Sequence, residues 1–237
     1  VPSDHVWPVP DGRRVLERLA GHTLVPVPPA PGAVDHLFHA AGLCLRTRPQ
    51  WRYPDAAQGA DALRTLVRGF ARLGALRPRG LTVALAVDDD GSAVLWHIVP
   101  QRPSLADALR AEPNRPWTLV RLATAHVSAL QLAAREGLVM RLAADAFALQ
   151  EGHLIYTAAD LDPRGQRLDL AARLVDALER LALRPAQLDT YAETLAEELP
   201  DSLTRADVAT LGLHEGLATA IDGPARACVG EALRRCV

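Results

Sequence analysis

Asp35, His36 and His39 are the tightest set of metal-type ligands in a chain with eight histidines. On a helix, the i, i+3 spacing would put both imidazoles on one face. The surrounding residues read as a strand, on which the two rings point to opposite sides, so ordinary surface histidines are the stronger reading. His126 falls on the apolar face of a helical pattern and reads as a hydrogen-bonded core histidine, not a base. His97 lies near the end of an apolar strand pattern and reads as packing. Serine nucleophile chemistry is not indicated: there is no G-x-S-x-G, and Ser3, Ser92, Ser104, Ser128 and Ser202 fall in cap, turn or helix contexts. Glu193, Glu197 and Glu198 occupy the polar side of a leucine-backed helix, which reads as a solvated face and not as a paired-carboxylate site. Cys44, Cys228 and Cys236 contain no C-x-x-C and read as packing thiols in a reducing compartment.

The surface feature with most chemical promise is Arg64, Arg68 and Arg72, spaced i, i+4, i+8 along a helical pattern. A ladder of guanidinium groups suits an acidic partner helix, a phosphopeptide or anionic lipid. Its bland alternative is a polar face in a chain that uses Arg wherever others use Lys. All 26 basic residues are indeed arginine. Mechanisms that need a lysine amine, such as a Schiff base or a phosphate-loop lysine, are therefore excluded. Charge is also uneven: residues 43–80 hold eight arginines against Asp55 and Asp61, whereas residues 142–222 hold 15 acids against six arginines. Two surfaces with different partners would follow. Nucleic acid is disfavoured, because the net charge is -2 and no aromatic platform is interleaved with the arginines.

These residues must be held by elements whose pattern changes along the 237 residues. Residues 24–31 are too proline-rich for a central strand and read as an edge or a loop. Residues 34–39 and 43–48 flank Ala41-Gly42 as a hairpin. Asp61 is expected to cap a helix at about 61–76 whose buried stripe is Leu63, Leu66, Val67, Phe70 and Leu73. Residues 81–87 and 93–99 form a second hairpin around Asp88-Asp89-Asp90-Gly91. From Pro103 the pattern becomes helical. Ser104 and Asp107 suggest a capping box, and a long helix runs from Pro116 to Gly137 with Leu119, Leu122, Ala123, His126, Leu130 and Ala133 inward. A β pair turning at Glu151-Gly152 follows, then helices on Leu170 to Leu181 and Leu188 to Leu199, and a last pair broken at Gly223-Pro224.

A small sheet with one helix, a connector, and a helical part carrying a short β insertion after its long helix resembles the order of elements in protein kinases. Residues 95–109 (LWHIVPQRPSLADAL) are similar to that family's strand, hinge and following helix. Residues 134–159 (AREGLVMRLAADAFALQEGHLIYTAA) are similar in spacing to its long-helix end, catalytic loop and metal-binding strand. The resemblance implies an α+β, two-lobed protein-kinase-like fold: a small β-rich N-lobe over 1–100 and a larger helical C-lobe over 101–237, together one domain. Carried over by position, the H-R-D triplet falls on Met140-Arg141-Leu142, the loop asparagine on Phe147, and the D-F-G aspartate on Ala158. A one-residue slip gives Thr157, and only a two-residue slip gives Asp160. The strand lysine falls near Arg46. Its helix glutamate has no counterpart, since no Glu lies between Glu17 and Glu112, and the glycine-rich loop is replaced by the proline segment.

Phosphoryl transfer needs positioned metal and an acceptor-orienting group, and Leu142, Phe147 and Ala158 supply neither. The expectation is a degenerate member of the kinase-like superfamily, of the bacterial pseudokinase kind: a catalytically inactive scaffold or regulatory module for protein partners, without metal or other cofactor. The alternative is a divergent phosphotransferase that retains a nucleotide cleft and uses Asp145 or Asp160 for metal. No apolar run approaches the roughly 20 residues of a membrane span. The chain opens at Val1 without an initiator Met or a basic-then-apolar leader, which suggests a cytoplasmic domain of a larger protein, with any membrane tether outside it.

Overall fold

Alternation and turn chemistry set the strands of the N-terminal half. The computed structural model describes residues 8–10, 24–27, 36–40, 42–87, 90–162 and 169–236. The chain divides into two compact units, Val1–Arg102 and Pro103–Val237. The first carries β1 (Pro8–Pro10), β2 (Val25–Val27), β3 (His36–Ala40), β4 (Leu43–Thr47), β5 (Arg52–Tyr53), α1 (Ala56–Ala71), β6 (Thr82–Val87) and β7 (Ala93–Pro100). They form one sheet in the order β1-β6-β7-β4-β3-β2, with β5 paired to β7. Among the described residues, the β1–β6 pair is parallel and the other pairs are antiparallel. The β3–β4 hairpin turns at Gly42, whose φ of 75° favours a residue without a Cβ. Among the described residues β2, with its central proline, pairs with β3 alone, at the edge, where a missing N–H is tolerated.

The helix of this unit begins earlier than the sequence suggests. Asp55, not Asp61, is the cap: its Oδ1 accepts from the Gln58 N–H at 2.8 Å and its Oδ2 from Gln58 Nε2 at 2.9 Å. Asp61 sits inside α1 and pairs with Arg64. Both aspartates precede a run of good helix formers; the extended backbone at Asp55 makes it the boundary. Of the expected stripe, Leu63, Phe70 and Leu73 are buried, and Leu66 and Val67 are half-buried. Gly59 is buried too, because a Cβ there would lie 2.7 Å from Leu85 Cδ1 and 3.0 Å from Ala93 Cβ. Small size at position 59 is what lets α1 approach β6 and β7.

Strand alternation gives this sheet two faces. The face under α1 carries Leu85, Ala93 and His97, with His97 stacked on Phe70 at 4.9 Å between ring centroids. The opposite face carries Leu24, Ala40, Leu45, Ala84, Ala86, Trp96 and Ile98, joined by Phe38, Leu43 and Val94.

The second unit is helical around a small β insertion. It holds α2 (Leu105–Ala111), α3 (Pro116–Glu136), β8 (Val139–Met140), β9 (Phe147–Gln150), β10 (His153–Tyr156), β11 (Leu161–Asp162), α4 (Leu170–Glu179), α5 (Pro185–Ser202), α6 (Arg205–Thr210), α7 (Leu213–Ala218) and α8 (Pro224–Arg235). The capping box at α2 forms, with the Asp107 N–H donating to Ser104 Oγ and the Ser104 N–H to Asp107 Oδ2. α3 ends at Gly137 in the left-handed conformation, φ 62°. β9 and β10 pair through the Glu151-Gly152 turn, and β11 pairs with β8. No described helix is long and apolar enough to cross a membrane.

Candidate functional site

The loop after α3 is built from short apolar residues pinned at several points. Leu142, Phe147 and Ala158 are 4%, 0% and 1% exposed. From α3, His126 reaches the loop with its Nε2 at 2.6 Å from the Leu142 carbonyl oxygen, while its Nδ1 lies 2.7 Å from the Tyr191 hydroxyl on α5. A carbonyl only accepts, so in the neutral ring Nε2 carries the proton and Tyr191 donates to Nδ1. Burial pushes the imidazole down to about 4, with the Leu142 contact acting in the other direction. Burial likewise raises the Tyr191 phenol, with the nearby Cys228 adding to the shift. Both groups are thus held neutral in a fully buried polar bridge, and His126 is the satisfied core histidine its position on the helix predicts. In the sequence Tyr191 is one position on the apolar stripe that runs from Leu188 to Leu199. The missed signal is a lone hydroxyl on a leucine stripe, opposite a lone histidine on another.

A second clamp holds the same loop. The Tyr156 hydroxyl donates to the Asp160 carbonyl at 2.8 Å and accepts from the Arg141 N–H at 3.1 Å. The Thr157 N–H donates to the Ala146 carbonyl at 2.8 Å. The Phe147 ring meets His126 and Tyr156 edge-on, with centroids 6.0 and 5.4 Å away. Asp145 and Asp160, the carboxylates of the enzyme reading, both face Arg141: its Nη2 lies 2.6 Å from Asp145 Oδ2 and its Nη1 3.9 Å from Asp160 Oδ2. Arg141 is thus a shared cationic neighbour of both carboxylates. Among the described residues, no group of three His, Cys, Asp or Glu side chains is placed to hold a metal.

In the first unit, Arg46 on β4 pairs in register with His97 on β7. His97 is 1% exposed, and its Nε2 has no hydrogen-bond partner. Burial, then Arg46 and Arg48, hold its pKa well below the ordinary histidine value. His36 and His39 fall on opposite faces of β3, His39 toward Gln101 at 3.3 Å, so no metal pair forms; Asp35 lies outside the described residues. Of the arginine ladder, Arg64 and Arg68 are exposed and Arg72, at the C-cap of α1, is half-buried. Glu198 is not merely solvated: it accepts a hydrogen bond from Thr124 Oγ1 at 2.8 Å. Cys228 is pushed up to about 11 by burial and by Asp189, which leaves it a protonated, unreactive thiol. None of the three cysteines is in a disulfide.

The element order is α+β: a β-rich unit holding one long helix, followed by a helical unit with a short β insertion, the order that the resemblance to protein kinases leads one to expect. No family model matches the sequence, and no curated protein matches it. Among solved structures, the chain is similar to an apo pseudokinase at 12% identity, covering 98% of this chain and 97% of that one, with a TM-score of 0.44. It is similar to the kinase domain of Mycobacterium tuberculosis PknI at 15% identity, covering 92% and 98%, TM-score 0.42. A choline/ethanolamine kinase family protein from Mesorhizobium loti shares 14% identity, covering 94% and 92%, TM-score 0.39. Likenesses of this size say nothing about activity, substrate or partner.

Proposed function

We propose that this chain is a catalytically inactive kinase-like module, a pseudokinase domain of a bacterial cytoplasmic protein, that works by binding a protein partner. The observation that carries this reading is the state of the position where an acceptor-orienting carboxylate would stand. Leu142 is there, buried, with its own carbonyl committed to His126. Phe147 and Ala158 offer magnesium no oxygen, and Arg141 draws Asp145 and Asp160 to itself. A metal-nucleotide complex does not fit these residues, so no phosphoryl-transfer step is assigned. Exposed Arg64 and Arg68 on α1 make an acidic segment the natural partner.

A thermal-shift titration with ATP and magnesium tests the inactive reading. No shift is expected, and metal-dependent stabilisation would establish the divergent phosphotransferase instead. For the partner, R64E/R68E/R72E is expected to lose co-purifying acidic proteins. An unchanged set would reduce the ladder to a solvated face.

A further inference from the structure

α5 differs from α2, α4 and α8 in how its charge is arranged. Asp189, Glu193, Glu197 and Asp201 stand at i, i+4, i+8 and i+12, all exposed, and no arginine lies within the helix. α2, α4 and α8 each set an arginine three or four residues after an acid, in the pairs Asp107–Arg110, Asp176–Arg180 and Glu231–Arg234. Like charges one turn apart repel, so the α5 row costs the helix stability with nothing on the helix to offset it. α1 carries the opposite charge at the same spacing: Arg64 and Arg68 are exposed, one turn apart. Arg64 pairs with Asp61 in an exposed contact that exchanges at little cost, and Arg68 has no ion-pair partner among the described residues. Side chains four residues apart repeat about every 6 Å on both helices, so the two rows match rung for rung.

We propose that a second copy of this chain is the acidic partner of α1: the face bearing Arg64 and Arg68 in one copy docks on the acidic row of α5 in the next. The inference rests on the partner-binding reading above and names the partner. The occupant follows from charge complementarity between the two helix faces, and the same contact relieves the repulsion within each row. The contact is heterologous, one face meeting a different one, so assembly continues beyond the dimer unless a ring closes. Exposed ion pairs carry it, so the association is reversible and weakened by salt.

Sedimentation velocity of the full chain over a concentration series at low ionic strength is expected to show a mass that rises with concentration, and monomer alone at about 0.5 M sodium chloride. R64E/R68E and E193R/E197R each set like charges across the contact and are expected to weaken association at least about tenfold, with far-UV circular dichroism unchanged. Mixed one to one, the two variants regain opposite charges at every contact between them and are expected to associate as the wild type does. A wild type that stays monomeric at low ionic strength, single variants that associate like the wild type, or a mixture that stays monomeric overturns the proposal. So does monomeric protein that sediments with phosphatidylglycerol vesicles through Arg64 and Arg68, which would make the ladder a membrane contact. If the wild type is monomeric while R64E/R68E/R72E still loses co-purifying acidic proteins, self-association alone fails and another protein is the partner; if that set is also unchanged, both readings fail.

Discussion

The Tyr191 hydroxyl on α5 lies 2.7 Å from Nδ1 of His126 on α3, and the far side of the same ring holds the Leu142 carbonyl of the loop. One imidazole thus ties two helices to the loop between β8 and β9. Here that segment is fixed by a neutral, fully buried bridge, a use of polar groups that stabilises only while every member is satisfied.

Breaking the bridge should cost more than its single hydrogen bonds suggest. Y191F leaves Nδ1 without a donor and is expected to destabilise by about 1–3 kcal/mol. H126A also removes a buried ring and orphans both the hydroxyl and the carbonyl, with an expected loss of about 3 kcal/mol or more. Denaturant unfolding would measure both, and a loss under about 0.5 kcal/mol for either would show the bridge to be incidental.

The depressed pKa of His126 makes stability fall with acid. The unfolded ring titrates near 6.5 and the folded one at about 4, so the unfolded state binds more protons between these values. The stabilisation is present above 6.5 and is lost progressively as pH falls toward 4, amounting to about 3 kcal/mol at full extent. Buried His97 acts in the same direction. Unfolding free energies at pH 7.5 and 4.5 for the wild type and H126Q would check this: the variant should have the shallower slope, and parallel slopes would refute the assignment.

Restoring a carboxylate at the loop should harm and not help. L142D places a charge in a site that is 4% exposed, beneath a ring that already occupies its carbonyl. The expected loss is about 3 kcal/mol or more, with no gain of phosphate transfer from ATP. A stable variant with measurable turnover would mean the loop is a latent active site.

G59A tests the packing of α1 on the sheet. The added Cβ would lie 3.0 Å from the Ala93 Cβ, which is fixed to a central strand, and 2.7 Å from Cδ1 of buried Leu85, which would have to shift. Overpacking should outweigh the gain in helix propensity, for a net loss of about 1–2 kcal/mol seen as a lower melting temperature.

The cap assignment separates two aspartates that look alike in the sequence. D55A should cost about 1 kcal/mol, whereas D61A, which loses only an exposed pair with Arg64, should stay within about 0.5 kcal/mol. The reverse ranking would restore the later helix start.

Most of the elements could be read from the sequence because local physics decides them. The capping box at Ser104, the stop at Gly137 and the turn at Glu151-Gly152 each depend on residues within four positions of one another. The sequence points to Asp61 as the cap of α1, whereas the structure starts the helix after Asp55, where packing of Gly59 against Leu85 and Ala93 favours the longer helix. The apolar character of Leu142, Phe147 and Ala158 was likewise plain from residue type alone.

What the sequence by itself determined, then, is the kind of chemistry absent from these positions: no side-chain oxygen at three of them, and no lysine anywhere. The tertiary structure alone decided what those positions do instead. Contacts between His126 and Tyr191, 65 residues apart, and between Arg141 and Asp160 depend on how helices and strands meet, and no periodicity encodes a meeting between elements. The same holds for the apolar sheet face around Trp96, where Phe38 of β3 and Trp96 of β7 meet only because the register of the sheet brings them together.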